Sequence, residues 1–216
     1  MGSEVSGRAA GDEDVTLFGH EIQAVGDVDG DGTDDLAVTA PLARLQDGRR
    51  GSVLIISPIS ERVIARLDAQ ANDLAFGWNI KTLKPASAGV AAALAVGCHV
   101  LLPGTAISQE SIRIYSLDTS QVIATLPGIS SLWIPGDADK DGTPDYLGFA
   151  PSAEHWRWIS GRTFLPLEKS PIRACLRELD HDYDGDGLLD YLESPKVQSG
   201  AIVLRSTATG NRLASF

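Results

Sequence analysis

Residues 26–35 read GDVDGDGTDD and place Asp27, Asp29, Asp31, Asp34 and Asp35 within nine positions, with apolar sequence following at once. Like charges this close repel one another, and no helix or strand gathers them without a counter-charge. The pattern returns as GDADKDGTPD at 136–145, with Asp137, Asp139, Asp141 and Asp145, and as HDYDGDGLLD at 181–190, with Asp182, Asp184, Asp186 and Asp190. These stretches hold 13 of the chain's 29 acidic residues. Oxygen-only donors at alternate positions are what a hard divalent cation takes. Calcium accepts six to eight oxygens at about 2.3–2.6 Å in a flexible shell, and the glycine after the third aspartate allows the chain to turn back. The expected ligands are the four spaced aspartates of each loop with one backbone carbonyl. They are Asp27, Asp29, Asp31 and Asp35 with Thr33; Asp137, Asp139, Asp141 and Asp145 with Thr143; and Asp182, Asp184, Asp186 and Asp190 with Leu188. Asp34 and Asp180 are read as solvated or outer. Magnesium, with its small rigid octahedron, fits less well, and zinc or copper would want His or Cys, of which the loops hold His181 alone. The third loop also has EF-hand spacing, with Glu193 at position twelve. That reading needs an exiting helix, and Pro195 follows almost at once, so a strand is favoured.

Something must hold these loops, and the chain repeats around them. Short alternating apolar runs with a shared serine recur at GSVLIISPISERVIARL (from 51), SIRIYSLDTSQVIATL (111), WRWISGRTFLPL (156) and AIVLRSTATGNRLASF (201). The serines, Ser57, Ser116, Ser160 and Ser206, lie 59, 44 and 46 residues apart. That makes four units, one without its acidic loop. Aligning AALAVG with DDLAVT puts Ala93 at the place of Asp35, and Pro85, Ser87 and Gly89 at those of Asp27, Asp29 and Asp31. Each unit reads as four short strands separated by Gly, Pro and Asp turns, in the first about 18–25, 35–39, 52–57 and 62–67. Four strands per repeat of about 45 residues is the signature of propeller blades.

The stretch LFGHEIQAVGDVDGDGTDDLAVTAP resembles an FG-GAP repeat, the blade unit of integrin α-subunit propellers and of many bacterial secreted proteins. Phe18 and Gly19 match its FG, and Ala40 and Pro41 the end of GAP. Phe76 and Gly77 open the second unit in the same way, whereas the third and fourth match mainly through the aspartate loop. The resemblance implies an all-β propeller of four four-stranded blades, at about 15–68, 69–127, 128–168 and 169–216, after a flexible lead at 1–14. It would be a closed four-bladed ring or part of a larger propeller, a monomer in preference to a dimer. Three calcium ions per chain would staple the blades in an extracellular, periplasmic or cell-surface setting. By the same resemblance, partners would meet the face opposite the calcium loops, built from the connections 42–51 and 99–110, read as the longest in the chain. Arg44, Arg49 and Arg50 are the only concentrated basic patch there, serving an acidic ligand or simply solvated.

A net charge of −11 argues against nucleic acid and anionic membrane surfaces, and no apolar run reaches the ~18 residues of a membrane span. Cys98 and Cys175 sit in apolar stretches and read as buried thiols. The four histidines are scattered, and no nucleophile or phosphate-loop motif occurs. Glu154 and His155, the nearest acid–base pair, are strand neighbours that point to opposite faces. Trp156 and Trp158 share one strand face and suit packing between blades, with stacking on a sugar as the alternative. The reading is a non-catalytic recognition or scaffold module for a protein or glycan ligand. A propeller-fold hydrolase or lyase is the alternative.

Overall fold

The computed structural model describes residues 16–83, 92–169, 172, 176–193 and 201–216. The lead at 1–14, the expected loop remnant at 85–89, Cys175 and Pro195 lie outside them. The chain divides into two compact units, Met1–Gly128 and Ile129–Phe216.

The N-terminal unit holds two four-stranded antiparallel sheets, each a meander in chain order. The first comprises β1 (Ile22–Gly26), β2 (Asp35–Arg44), β3 (Arg50–Ser57) and β4 (Arg62–Asp68). The second comprises β5 (Asp73–Leu83), β6 (Ala93–Leu101), β7 (Ser108–Ser116) and β8 (Val122–Pro127). Alternation along the strands sets what each face buries. On β3, Val53 and Ile55 are sealed inside a cluster with Phe76, Ile80, Leu94 and Val96 of the second sheet, while Leu54 and Ile56 are half-buried. The two sheets come together at glycines. A side chain on Gly51 would lie 2.3 Å from the Phe76 carbonyl oxygen, and Gly77 (φ +85°) packs on Val53 and Ser52. The second FG pair is thus a docking point, with Phe76 fully buried.

The C-terminal unit repeats the plan with shorter strands. One sheet comprises β9 (Ser131–Gly136), β10 (Asp145–Ala150), β11 (His155–Ile159) and β12 (Pro166–Lys169), with a 3-10 turn at Pro151–Ala153. The other comprises β13 (Leu176–Glu178), β14 (Tyr191–Glu193), β15 (Val203–Arg205) and β16 (Arg212–Ser215). Trp156 and Trp158 are only 6% and 7% exposed, in a core with Trp133, Leu147, Leu188 and Tyr191; they are packing residues. Four four-stranded antiparallel meanders in an all-β chain are the blades of a β-propeller.

Two expectations change. The first strand begins at Ile22, not near 18, because Gly19 (φ +81°) turns the chain there and donates its N–H to the Thr39 carbonyl at 2.8 Å. The connections 42–51 and 99–110 are not the longest. Strand pairing runs outward to Arg44↔Arg50 and Leu101↔Ser108, leaving turns at 45–49 and 102–107, whereas the acidic connections span 27–34, 137–144 and 179–190. The EF-hand alternative also ends here. The third loop exits into β14, and Glu193 is a strand residue ion-paired with Arg205. Among the described residues no helix is long and apolar enough to cross a membrane.

Candidate metal centres

Each acidic loop joins the first two strands of its sheet. In each, the first, second and last aspartates offer carboxylate oxygens within 4.8 Å of one another: Asp27, Asp29 and Asp35; Asp137, Asp139 and Asp145; Asp182, Asp184 and Asp190. Asp27 and the middle aspartates are exposed and Asp137 and Asp182 half-buried, while Asp35, Asp145 and Asp190 are wholly buried.

Backbone amides hold the carboxylates in place. In the first loop Asp27 accepts the N–H groups of Gly30 (2.7 Å), Asp31 (3.0 Å) and Gly32 (2.8 Å). Asp35 Oδ2 accepts Val28 (2.7 Å) and Asp29 (3.3 Å). The third loop repeats this, with Gly185 and Gly187 donating to Asp182 at 2.7 and 2.8 Å and Tyr183 to Asp190 at 2.7 Å. The environments differ within that site. The Gly187 N–H holds the Asp182 carboxyl below its ordinary range, while burial raises that of Asp190. Leu188 drops its side chain into the core, and Leu189 donates its N–H to the Pro135 carbonyl at 2.8 Å, docking the loop on β9.

Asp31, Asp141 and Asp186, expected among the ligands, stand outside these trios. Each carboxylate accepts the backbone N–H of the residue two positions on, and those of Asp31 and Asp186 also meet the turn after the third strand. Oδ1 accepts the N–H of Thr33 (2.9 Å), Thr143 (2.8 Å) and Leu188 (2.9 Å). Oδ2 of Asp31 and of Asp186 accepts a hydrogen bond from the hydroxyl of Ser57 (3.2 Å) and Ser206 (3.3 Å). This gives the repeating serine a role that periodicity had marked without explaining. Ser57, Ser160 and Ser206 are buried and also accept the amide of Ser60, Thr163 or Thr209 three residues on, at 3.2–3.3 Å. All four such turns set a residue at positive φ: Glu61, Ser120, Phe164 and Gly210.

The amide directly after the serine closes the arrangement. Gly161 N–H donates to Asp145 Oδ1 at 2.9 Å and Thr207 N–H to Asp190 Oδ1 at 3.2 Å. In the second sheet, where Ala93 opens β6 as Asp35 opens β2, the corresponding Leu117 N–H donates to the Ala92 carbonyl at 3.0 Å. In the first sheet that residue is Pro58, and Asp35 Oδ1 is buried with no hydrogen-bond partner. An all-oxygen donor set around a buried, under-compensated carboxylate fits a hard cation.

Lys140 provides a local test. It occupies the position of Gly30 and Gly185 and shares their positive φ (63° against 81° and 79°), a region costing about 1 kcal/mol for an L side chain. Lys140→Gly is expected to raise stability by about that amount. Removing a positive charge from the loop should also tighten cation binding there. Chemical unfolding and a calcium isotherm check the two parts.

Away from the loops, Arg49 is committed to Asp47 (2.5 Å) and to the Ala69 carbonyl, and this pairing holds the Asp47 carboxyl below its usual range. Arg66 pairs with Asp68 at 2.7 Å. Arg44 faces Arg50 across β2 and β3, and Arg44, Arg49, Arg66, Asp47 and Asp68 line one cleft of about 610 Å³. The basic patch is therefore interleaved with acids. His155 Nε2 accepts from Arg157 Nε at 3.1 Å, which leaves Nδ1–H to donate to the Ala153 carbonyl at 3.1 Å.

Fold and loops together define a β-propeller repeat protein with three acidic turn sites. Residues 18–56 match the family model for the FG-GAP repeat, so the chain carries an FG-GAP repeat where its first sheet lies. No curated protein matches the chain.

Proposed function

We propose that the chain is a calcium-stapled recognition module of extracellular, periplasmic or cell-surface proteins, without catalytic activity. The observation that carries this reading is the threefold recurrence of one aspartate trio, each ending on a fully buried carboxylate. In this reading the trios, with the carbonyls of Thr33, Thr143 and Leu188, hold one calcium ion each, three per chain. The ion cancels the repulsion between loop carboxylates and so ties the first strand of a blade to the second. Asp31 and Asp186 orient their loops against the serine turn, and Asp141 shares with them the bond to the amide two residues on. Extracellular calcium modules bind at about 10⁻⁴–10⁻³ M, which suits millimolar calcium. The partner is a polypeptide or glycan, met at the blade ends carrying Arg44, Arg49 and Arg50, where paired acids and bases favour a ligand of mixed charge.

Calorimetry of chelator-treated protein tests the metal: three calcium ions are expected, with magnesium markedly weaker. Fewer than two ions would overturn the assignment. Glycan and polypeptide arrays probed at millimolar calcium, beside a hydrolase screen, separate binding from catalysis.

A further inference from the structure

The three trios share one backbone plan, yet they are not equivalent, and the difference lies outside the acidic loops. Each buried terminal aspartate can receive an amide from the residue after the serine of the neighbouring turn. Asp145 receives it from Gly161 and Asp190 from Thr207. Asp35 receives none, since Pro58 stands at that position and a proline nitrogen carries no hydrogen. The turn is otherwise the same, because Ser60 N–H still reaches the Ser57 hydroxyl at 3.2 Å as Thr163 and Thr209 reach theirs. The missing bond therefore reflects the missing proton and not a different turn. Asp35 is fully buried and its Oδ1 has no partner.

Resting on the calcium reading above, we infer that Pro58 makes the first loop the tightest of the three cation sites by withholding the amide that partly neutralises its buried aspartate. A carboxylate stripped of water and one donor short keeps more of its charge for a cation. The metal-free loop also carries an unmet acceptor, a cost that binding a positive charge offsets. The surrounding charge acts in the same direction. Asp34 places a negative charge beside the first loop, as Asp180 does beside the third, whereas Lys140 places a positive charge in the second, and local charge is a lever on calcium affinity. The proline thus grades three copies of one site, so that the first fills at lower calcium than the others.

Variants with one site left intact test this by calorimetry: Asp139→Asn with Asp184→Asn keeps the first, Asp29→Asn with Asp184→Asn the second, Asp29→Asn with Asp139→Asn the third. The first is expected to bind calcium about tenfold more tightly, equal to about 1.4 kcal/mol, and adding Pro58→Ala should remove most of that advantage. In chelator, Pro58→Ala should also raise the thermal midpoint of the otherwise unaltered chain, since the gained bond to a buried carboxylate outweighs the chain freedom regained with the proline. Ile59→Gly, which loosens the same exposed turn without supplying the amide, should lower it. A first site no tighter than the others, or a Pro58→Ala variant with unchanged affinity and an unraised midpoint, overturns the inference. Absence of calcium binding in all three variants overturns the calcium reading instead. That failure is distinguishable, because the metal-free midpoint of Pro58→Ala still reports whether Asp35 lacks a donor.

Discussion

Asp73→Ala is expected to destabilise the N-terminal unit by about 3–5 kcal/mol, equally in calcium and in chelator. Arg113 on β7 and Asp73 at the start of β5 form a two-pronged ion pair, Nη1–Oδ2 at 2.5 Å and Nη2–Oδ1 at 2.6 Å. The side chains are 7% and 0% exposed. Asp73 also accepts the Gln70 N–H at 2.6 Å, so it fixes the turn that enters the sheet. Truncating it leaves a guanidinium buried without its counter-charge and an amide without its acceptor. The attraction itself is largely cancelled by the desolvation of both ions. The double replacement Asp73→Leu with Arg113→Met should therefore recover most of the loss. Denaturant unfolding of the two single variants and the double variant checks this. A single-variant loss under about 1 kcal/mol would mean that the pair behaves like a surface bridge. Because this pair sits in the one sheet without an acidic loop, its contribution should not respond to calcium, and that separates it from the second prediction.

Asp145→Ala should cost about 3 kcal/mol or more and lower calcium stoichiometry by one. Its buried carboxylate collects three amides, Ala138 at 2.9 Å, Asp139 at 3.1 Å and Gly161 at 2.9 Å, joining the loop to the turn after β11. Each donor left without a partner forfeits about 1–3 kcal/mol where water cannot reach it. Asp145→Asn keeps the shape and one acceptor oxygen and should lose about half as much. Asp141→Ala, by contrast, removes an exposed carboxylate that stands outside the trio. It should cost about 1 kcal/mol and leave the ion in place. If Asp141→Ala abolished binding as fully as Asp145→Ala, the trio would be the wrong ligand set. Calorimetry and thermal unfolding with and without calcium read both quantities.

The loops and strands were legible because both are local patterns. Alternation of Val, Ile and Leu between turn residues locates β3 and β7, and the regular spacing of aspartate and glycine marks the acidic turns. The alignment of Ala93 with Asp35 holds for the same reason, since each opens the second strand of its sheet. What escaped depends on groups brought together by folding. Alternate spacing implied that Asp31, Asp141 and Asp186 join the other carboxylates. Asp31 and Asp186 also bond a serine 26 and 20 residues away, a contact that local spacing does not announce. Asp73 and Arg113 lie 40 residues apart with no local signal for either. The start of β1 was misplaced because a glycine at positive φ ends a strand whatever apolar residues surround it. The reach of β2 to Arg44 depended on pairing with Arg50, which composition alone made look like loop.

The last sheet differs from its fellows in scale. Among the described residues its last two strands, β15 and β16, have three and four residues, where β7 and β8 have nine and six. Under tension the difference is one of load sharing. A hairpin pulled from its end opens one ladder bond at a time, and a three-residue strand offers few bonds before it parts. The connection that carries Asp182, Asp184 and Asp190 joins β13 to β14, so an ion held there would bear force that the short ladder cannot. Pulled by its C-terminus, this chain would yield first at β16, and an ion held at the acidic turn would be the point of arrest.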